Sequence, residues 1–114
     1  MIDATWLAAI LGSLQEPILV ADTDHVTRYM NQAAVEHYEG GESLIGRSLL
    51  DCHNKESQQI MVEILAAMQS EDLDERLITD TEEERIFMRA VRDATGMVLG
   101  YYERYEKKCI TDQG

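Results

Sequence analysis

The apolar positions of this chain change period along its length, and each change marks an element. Near the start, Trp6, Leu7, Ile10, Leu11 and Leu14 recur at the spacing of one helical face. Asp3 is placed to cap that helix and Pro17 to stop it. The run Ile18 to Ala21 then reads as a strand, "DTDH" as a turn, and His25 to Met30 as a second strand rich in β-branched and aromatic residues. Asn31 is a natural cap for a short helix, "QAAVEHY", which Gly40 and Gly41 break. "ESLIGRSLL" reads as a short helical piece closed at Gly46. The longest helix is predicted over about Lys55 to Gln69, with Ile60, Met61, Ile64, Leu65 and Met68 as its apolar stripe. Three strands follow. "DERLITD" is short, "ERIFMRAV" alternates with Ile86, Met88 and Ala90 on one face, and "MVLGYYERYEKK" closes the set after a turn at "RDATG".

Strands grouped at both ends of a helical middle predict an α+β domain with an antiparallel sheet and the long helix across one face. In the last strand, Leu99, Tyr101 and Tyr105 are expected on one face and Val98, Tyr102 and Arg104 on the other. With both faces partly apolar, one should cover the core and the other should meet the N-terminal helix or a partner chain.

Composition narrows the function. The 114 residues suit one domain, which at this length buries roughly 65% of its unfolded surface. Ten Lys and Arg against 22 Asp and Glu give a net charge of −12, which disfavours direct binding of nucleic acid. No apolar run is long enough to span a membrane and no leader pattern is present. The start at Met1 suggests a natural N-terminus. Cys52 and Cys109 lack the spacing of a zinc ribbon or a haem-attachment motif, and reduced thiols in a cytoplasmic setting are expected. No nucleophile elbow, P-loop or zinc-protease motif occurs, so an enzyme is not expected. His25 reads as a solvated turn residue and His37 as a helix end. Glu82, Glu83 and Glu84 read as a turn flank that lacks the alternating ligands and glycine of a calcium loop.

The order of these segments resembles a PAS domain, a sensory and interaction module. "PILVADTDHVTRYMNQAAVEHY" is similar to that family's opening, with Asp22 ending a strand and Asn31 starting the first helix. "GESLIGRSLLDCH" is similar to its central loop, and "VRDATGMVLGYYERYEKK" to its last hairpin, with Gly100 where the final strand often carries a glycine. The ending "YEKKCITDQG" departs from the family's usual lead into an output domain. The resemblance implies a five-stranded antiparallel sheet with helices on one face. It divides the chain into an N-terminal amphipathic helix over residues 1–15, a PAS domain over 16–108 and a tail over 109–114. It also implies either a ligand held between sheet and helices or a ligand-free interaction module.

The segment "LLDCHNKES" carries the sharpest chemical question. His53 stands at the start of the long helix, where the helix dipole disfavours imidazolium, and a neutral imidazole is the metal-binding form. Met88 should project inward from its strand, and His with Met is a recognised haem ligation pair. The two segments resemble those of a haem-binding, carbon-monoxide-responsive PAS subgroup, which implies His53 and Met88 as axial ligands. Cys52 is a weaker candidate, and Ile60, Ile64 and Met68 are expected to line the cavity. The same segment is similar to a "CHPPKS"-like PAS subgroup, with Asn54 replacing a proline. The flavin subgroup's "NCRFLQ"-like segment is not matched. In the ligand-free reading these same apolar residues fill the interior, and the helical neck around His53 is only structural. In either reading the expected partners are a second copy, met through Trp6, Leu7, Ile10 and Leu14, and an effector or sensor protein.

Overall fold

The structure, a computed structural model, describes residues 2–107. Cys109 and the expected tail over 109–114 lie outside the described residues. Helix α1 (Ala4–Ser13) leads into strands β1 (Leu19–Asp22) and β2 (Thr27–Met30), then helix α2 (Gln32–His37). Two 3₁₀ turns, Gly41–Leu44 and Leu49–Cys52, precede helix α3 (Lys55–Ser70), and strands β3 (Glu75–Asp80), β4 (Glu84–Arg92) and β5 (Val98–Lys107) complete the chain. The strands form one antiparallel five-stranded sheet in the order β2-β1-β5-β4-β3. The expected α+β fold, with helices packed on one sheet face, is what the structure has.

The helices start where short polar side chains satisfy free amides. Asp3 accepts from Trp6 N, Asn31 from Ala34 N and Asn54 from Ser57 N. Helix α3 buries Met61, Ile64, Leu65 and Met68 against the sheet. Ile60 departs from the expected stripe. It lies about 90° around the helix from the centre of that face and is 45% exposed, outside the buried cluster. The far end of α3 is held by Arg92, which donates to the carbonyls of Met68, Leu73 and Gly96 and pairs with Asp74. A cation suits that carbonyl-rich helix end.

Two further expectations change. A bulge between Val91 and Arg92 shifts the register of β4 against β5, so Val98 is buried and Leu99 is exposed. His25 is not solvated. It takes a positive φ of 65° in the β1–β2 turn and is buried, with Nδ1 at 2.8 Å from the Tyr101 hydroxyl. That backbone region tolerates histidine better than most side chains. Burial pulls the His25 pKa below its ordinary value, against the opposing pull of Asp22 and Asp24.

Gly100 marks a close approach of β5 to β1. A Cβ there would overlap the carbonyl of Ala21 on β1. Both sides of that contact are paired backbone and cannot swing away. Gly100→Ala is therefore expected to cost about 1–3 kcal/mol, read as a lower urea midpoint with an unchanged slope. The His25 effect has its own signature. The unfolded chain takes up a proton as pH falls through about 6.5, the ordinary histidine value, while the folded state resists it. Stability should thus fall as pH drops below that point, before the carboxylates titrate. In His25→Asn, which suits the same backbone, that slope between pH 7 and 5 should be absent from urea titrations.

Candidate functional site

The candidate haem ligands are placed as follows. Met88 lies on the inner face of β4 within the apolar cluster, and it and Met68 are 0% exposed, so no water-sized space adjoins either. Haem is many times larger than water and does not fit beside Met88 without displacing part of that cluster. His53 is half-buried at the join between the second 3₁₀ turn and α3. Its amide donates to the Leu50 carbonyl, and its own carbonyl accepts from Gln58 Nε2 at 2.9 Å. Cys52 is exposed and borders a shallow cleft with Arg47, Ser48 and Asp51. Cys52 and Met88 therefore do not share a site. Among the described residues, no group of three or more His, Cys, Asp or Glu converges as a metal site.

A polar constellation sits elsewhere on the inner face. Alternation along β5 points Tyr101, Glu103 and Tyr105 toward the helices. Glu103 is the cross-strand partner of Met88 and is only 6% exposed. A carboxylate buried this far needs a donor, and the Tyr38 hydroxyl at the end of α2 supplies one at 2.6 Å from Oε1. Tyr38 also meets the Tyr105 hydroxyl. In that second contact either hydroxyl can be the donor. Burial pushes the Tyr105 hydroxyl up to about 12, and burial followed by the neighbouring Glu103 raises that of Tyr38 further, so both keep their protons at neutral pH. The rings of His37, Tyr38 and Tyr105 meet edge-on, with centroids 5.0 to 6.4 Å apart.

Tyr105 also forms part of the wall of an open cleft of about 860 Å³. The cleft runs between the α1–β1 linker, helix α2 and the adjoining ends of β4 and β5, and its lining includes Glu16, Glu36, His37, Glu84 and Lys107. One buried residue fixes two of its walls. Asn31 Nδ2 donates to the carbonyls of Leu11 and Glu16, each at 3.0 Å. Its Oδ1 accepts from Ile18 N at 3.0 Å and Ala34 N at 2.9 Å. The end of α1, the linker into β1 and the start of α2 thus meet at one side chain. Sequence reasoning found Asn31 only as a cap. It missed Glu103 and Tyr38, although strict alternation from Tyr101 would have put Glu103 inside.

The apolar stripe of α1 has no cover. Trp6, Leu7, Ile10 and Leu14 are 42% to 62% exposed, and no residue of α1 is buried. No described helix is long and apolar enough to cross a membrane.

Comparison with known proteins fits this geometry. A family model described as "PAS fold" matches residues 11–107. The C-terminal domain of a Streptococcus mutans protein superposes with a TM-score of 0.75 at 19% identity, covering 93% of this chain and 85% of that one. The PAS domain of Bordetella pertussis BvgS gives 0.66 at 12% identity, covering 94% and 87%. The Aer2 receptor of Vibrio cholerae, described as a dual PAS-heme oxygen sensor, gives 0.56 at 16% identity, covering 82% and 95%. No curated protein matches. With the family model spanning the last turn of α1 to the end of β5, the chain belongs to the PAS-fold family.

Proposed function

We propose that this chain is a cytoplasmic PAS signalling module that works with its interior filled by its own side chains and passes its signal through α1. The observation that carries this reading is the Asn31 junction. Any tilt of α2 changes the positions of the Leu11 and Glu16 carbonyls through one shared, buried amide. Helix α1 then moves with the domain rather than independently of it. The occupant proposed for its uncovered stripe is a second copy of the chain. Burying four large apolar side chains from each protomer supplies on the order of 1.5–3 kcal/mol per side chain, offset by the cost of association. The two states would differ in how α1 is set against the domain, and a signal would shift their populations. An effector or sensor protein would read the difference.

Two measurements test this reading. Ile10→Asp places a charge in the stripe without touching the core, because Ile10 is itself exposed. Sedimentation should show weakening of self-association by on the order of tenfold or more, with an unchanged urea midpoint at concentrations where both proteins are monomeric. A wild-type chain that stays monomeric at all concentrations would contradict the second-copy assignment. Hemin added to the native protein should give no sharp Soret band, because Met88 adjoins no open space. A specific band that shifts with dithionite and carbon monoxide, and vanishes in His53→Ala, would overturn the filled-interior reading.

A further inference from the structure

We propose that His25 pins a pH-sensitive latch between the β1–β2 turn and the segment that leads into α3. Three backbone hydrogen bonds close the latch. Thr27 N donates to the Arg47 carbonyl at 2.9 Å, Gly46 N to the Thr27 carbonyl at 2.8 Å and Leu49 N to the His25 carbonyl at 2.7 Å. Val26 and Ser48 form an antiparallel bridge between the same two stretches. The segment thus covers the sheet edge that β2 would otherwise leave open. Its far end is tied to α3, because Gln58 Nε2 donates to the carbonyls of Leu50 and His53. A shift of the segment therefore reaches the start of that helix.

Hydrogen-bond inventory makes the latch respond to protons. The buried His25 ring has the Tyr101 hydroxyl as its one side-chain partner among the described residues, and that hydroxyl has no other partner among them. A neutral imidazole can accept the Tyr101 proton at Nδ1, whereas an imidazolium carries N–H on both nitrogens and accepts at neither. Tyr101 is 0% exposed. Protonation inside the closed latch would strand its hydroxyl proton where no water reaches, and would bury an unpaired charge. The charged groups around His25 do not remove that cost. Asp22, from the same turn, already accepts from two amides and from Arg28 of β2, and Asp24 is exposed. Strand β5 brings Tyr101, whose hydroxyl pKa burial pushes up, and the stretch from Gly46 to Leu49 brings only Arg47, which is exposed. Burial accordingly holds the His25 pKa below its ordinary value, against both aspartates. Opening gives the ring water while both aspartates stay beside it. The open form takes up its proton as pH falls through about 6.5, so acidification favours it until the closed ring titrates as well. This inference does not rest on the α1 reading above.

Native-state hydrogen exchange of the full chain, read by NMR and corrected for the intrinsic pH dependence of exchange, tests it. The amides of Thr27, Gly46 and Leu49 should exchange through an opening that becomes about tenfold more frequent from pH 7 to pH 5. That opening should depend little on urea, the mark of a local event. The Ala90 amide, bonded to the Asp74 carbonyl on the other side of the sheet, should instead follow the urea slope of global unfolding. In His25→Asn the pH response of the three latch amides should vanish. Latch amides that do not respond while His25 titrates, that share the urea slope of Ala90, or that respond equally in His25→Asn would overturn the latch. Tyr101→Phe removes the hydroxyl alone and tests the bond in a second way. The His25 ring signals should then titrate closer to the ordinary histidine value, because the neutral ring has lost its partner. An unchanged titration midpoint in that variant would overturn the part assigned to the hydrogen bond.

Discussion

A single buried amide side chain sets the arrangement on which the rest of this domain depends. Asn31 is 1% exposed, and its Oδ1 and Nδ2 make four hydrogen bonds to three backbone segments, α1, the α1–β1 linker and α2. Each is worth about 0.5–1.5 kcal/mol net, and leaving such groups unpaired inside costs more. The requirement is therefore all or nothing. Helix α1 buries no residue of its own, and an isolated ten-residue helix is marginal in water. Its orientation comes from this junction and from whatever covers its stripe.

The sheet obeys a second constraint, at Gly100, where β1 and β5 approach too closely for a side chain. That contact brings the inner face of β5 under the helices. It places Tyr101, Glu103 and Tyr105 opposite His25 and Tyr38. The interior is thus divided. Near α3 it is apolar and filled, with methionines that mould to irregular gaps. Near α2 it is polar, and its hydrogen bonds gather at Glu103, the one buried carboxylate among the described residues. The first region holds the fold and the second gives the protein its chemical character.

Much of this was legible in the sequence because it rests on local rules. The caps at Asp3 and Asn31 followed from residue type ahead of an apolar run, and the strands of the antiparallel sheet from their alternation. What was not legible depends on distant segments meeting. His25 reads as a solvated turn residue until Tyr101, far along the chain, closes over it. The bulge at Val91 and Arg92 exchanges Val98 and Leu99 without any change in composition. Ile60 misses the core by one helical step. The cleft has walls from three separate stretches, so no spacing along the chain announces it.

The central claim is that Asn31 ties α1 to α2. The most direct test is time-resolved fluorescence anisotropy of Trp6 in the wild type and in Asn31→Asp. The aspartate keeps both acceptor contacts and the helix cap, but it cannot donate to the Leu11 and Glu16 carbonyls. In the wild type, Trp6 should decay mainly with the tumbling of the whole domain. In the variant a fast local component should dominate, while circular dichroism shows the sheet intact. Identical decays in the two proteins would contradict the account.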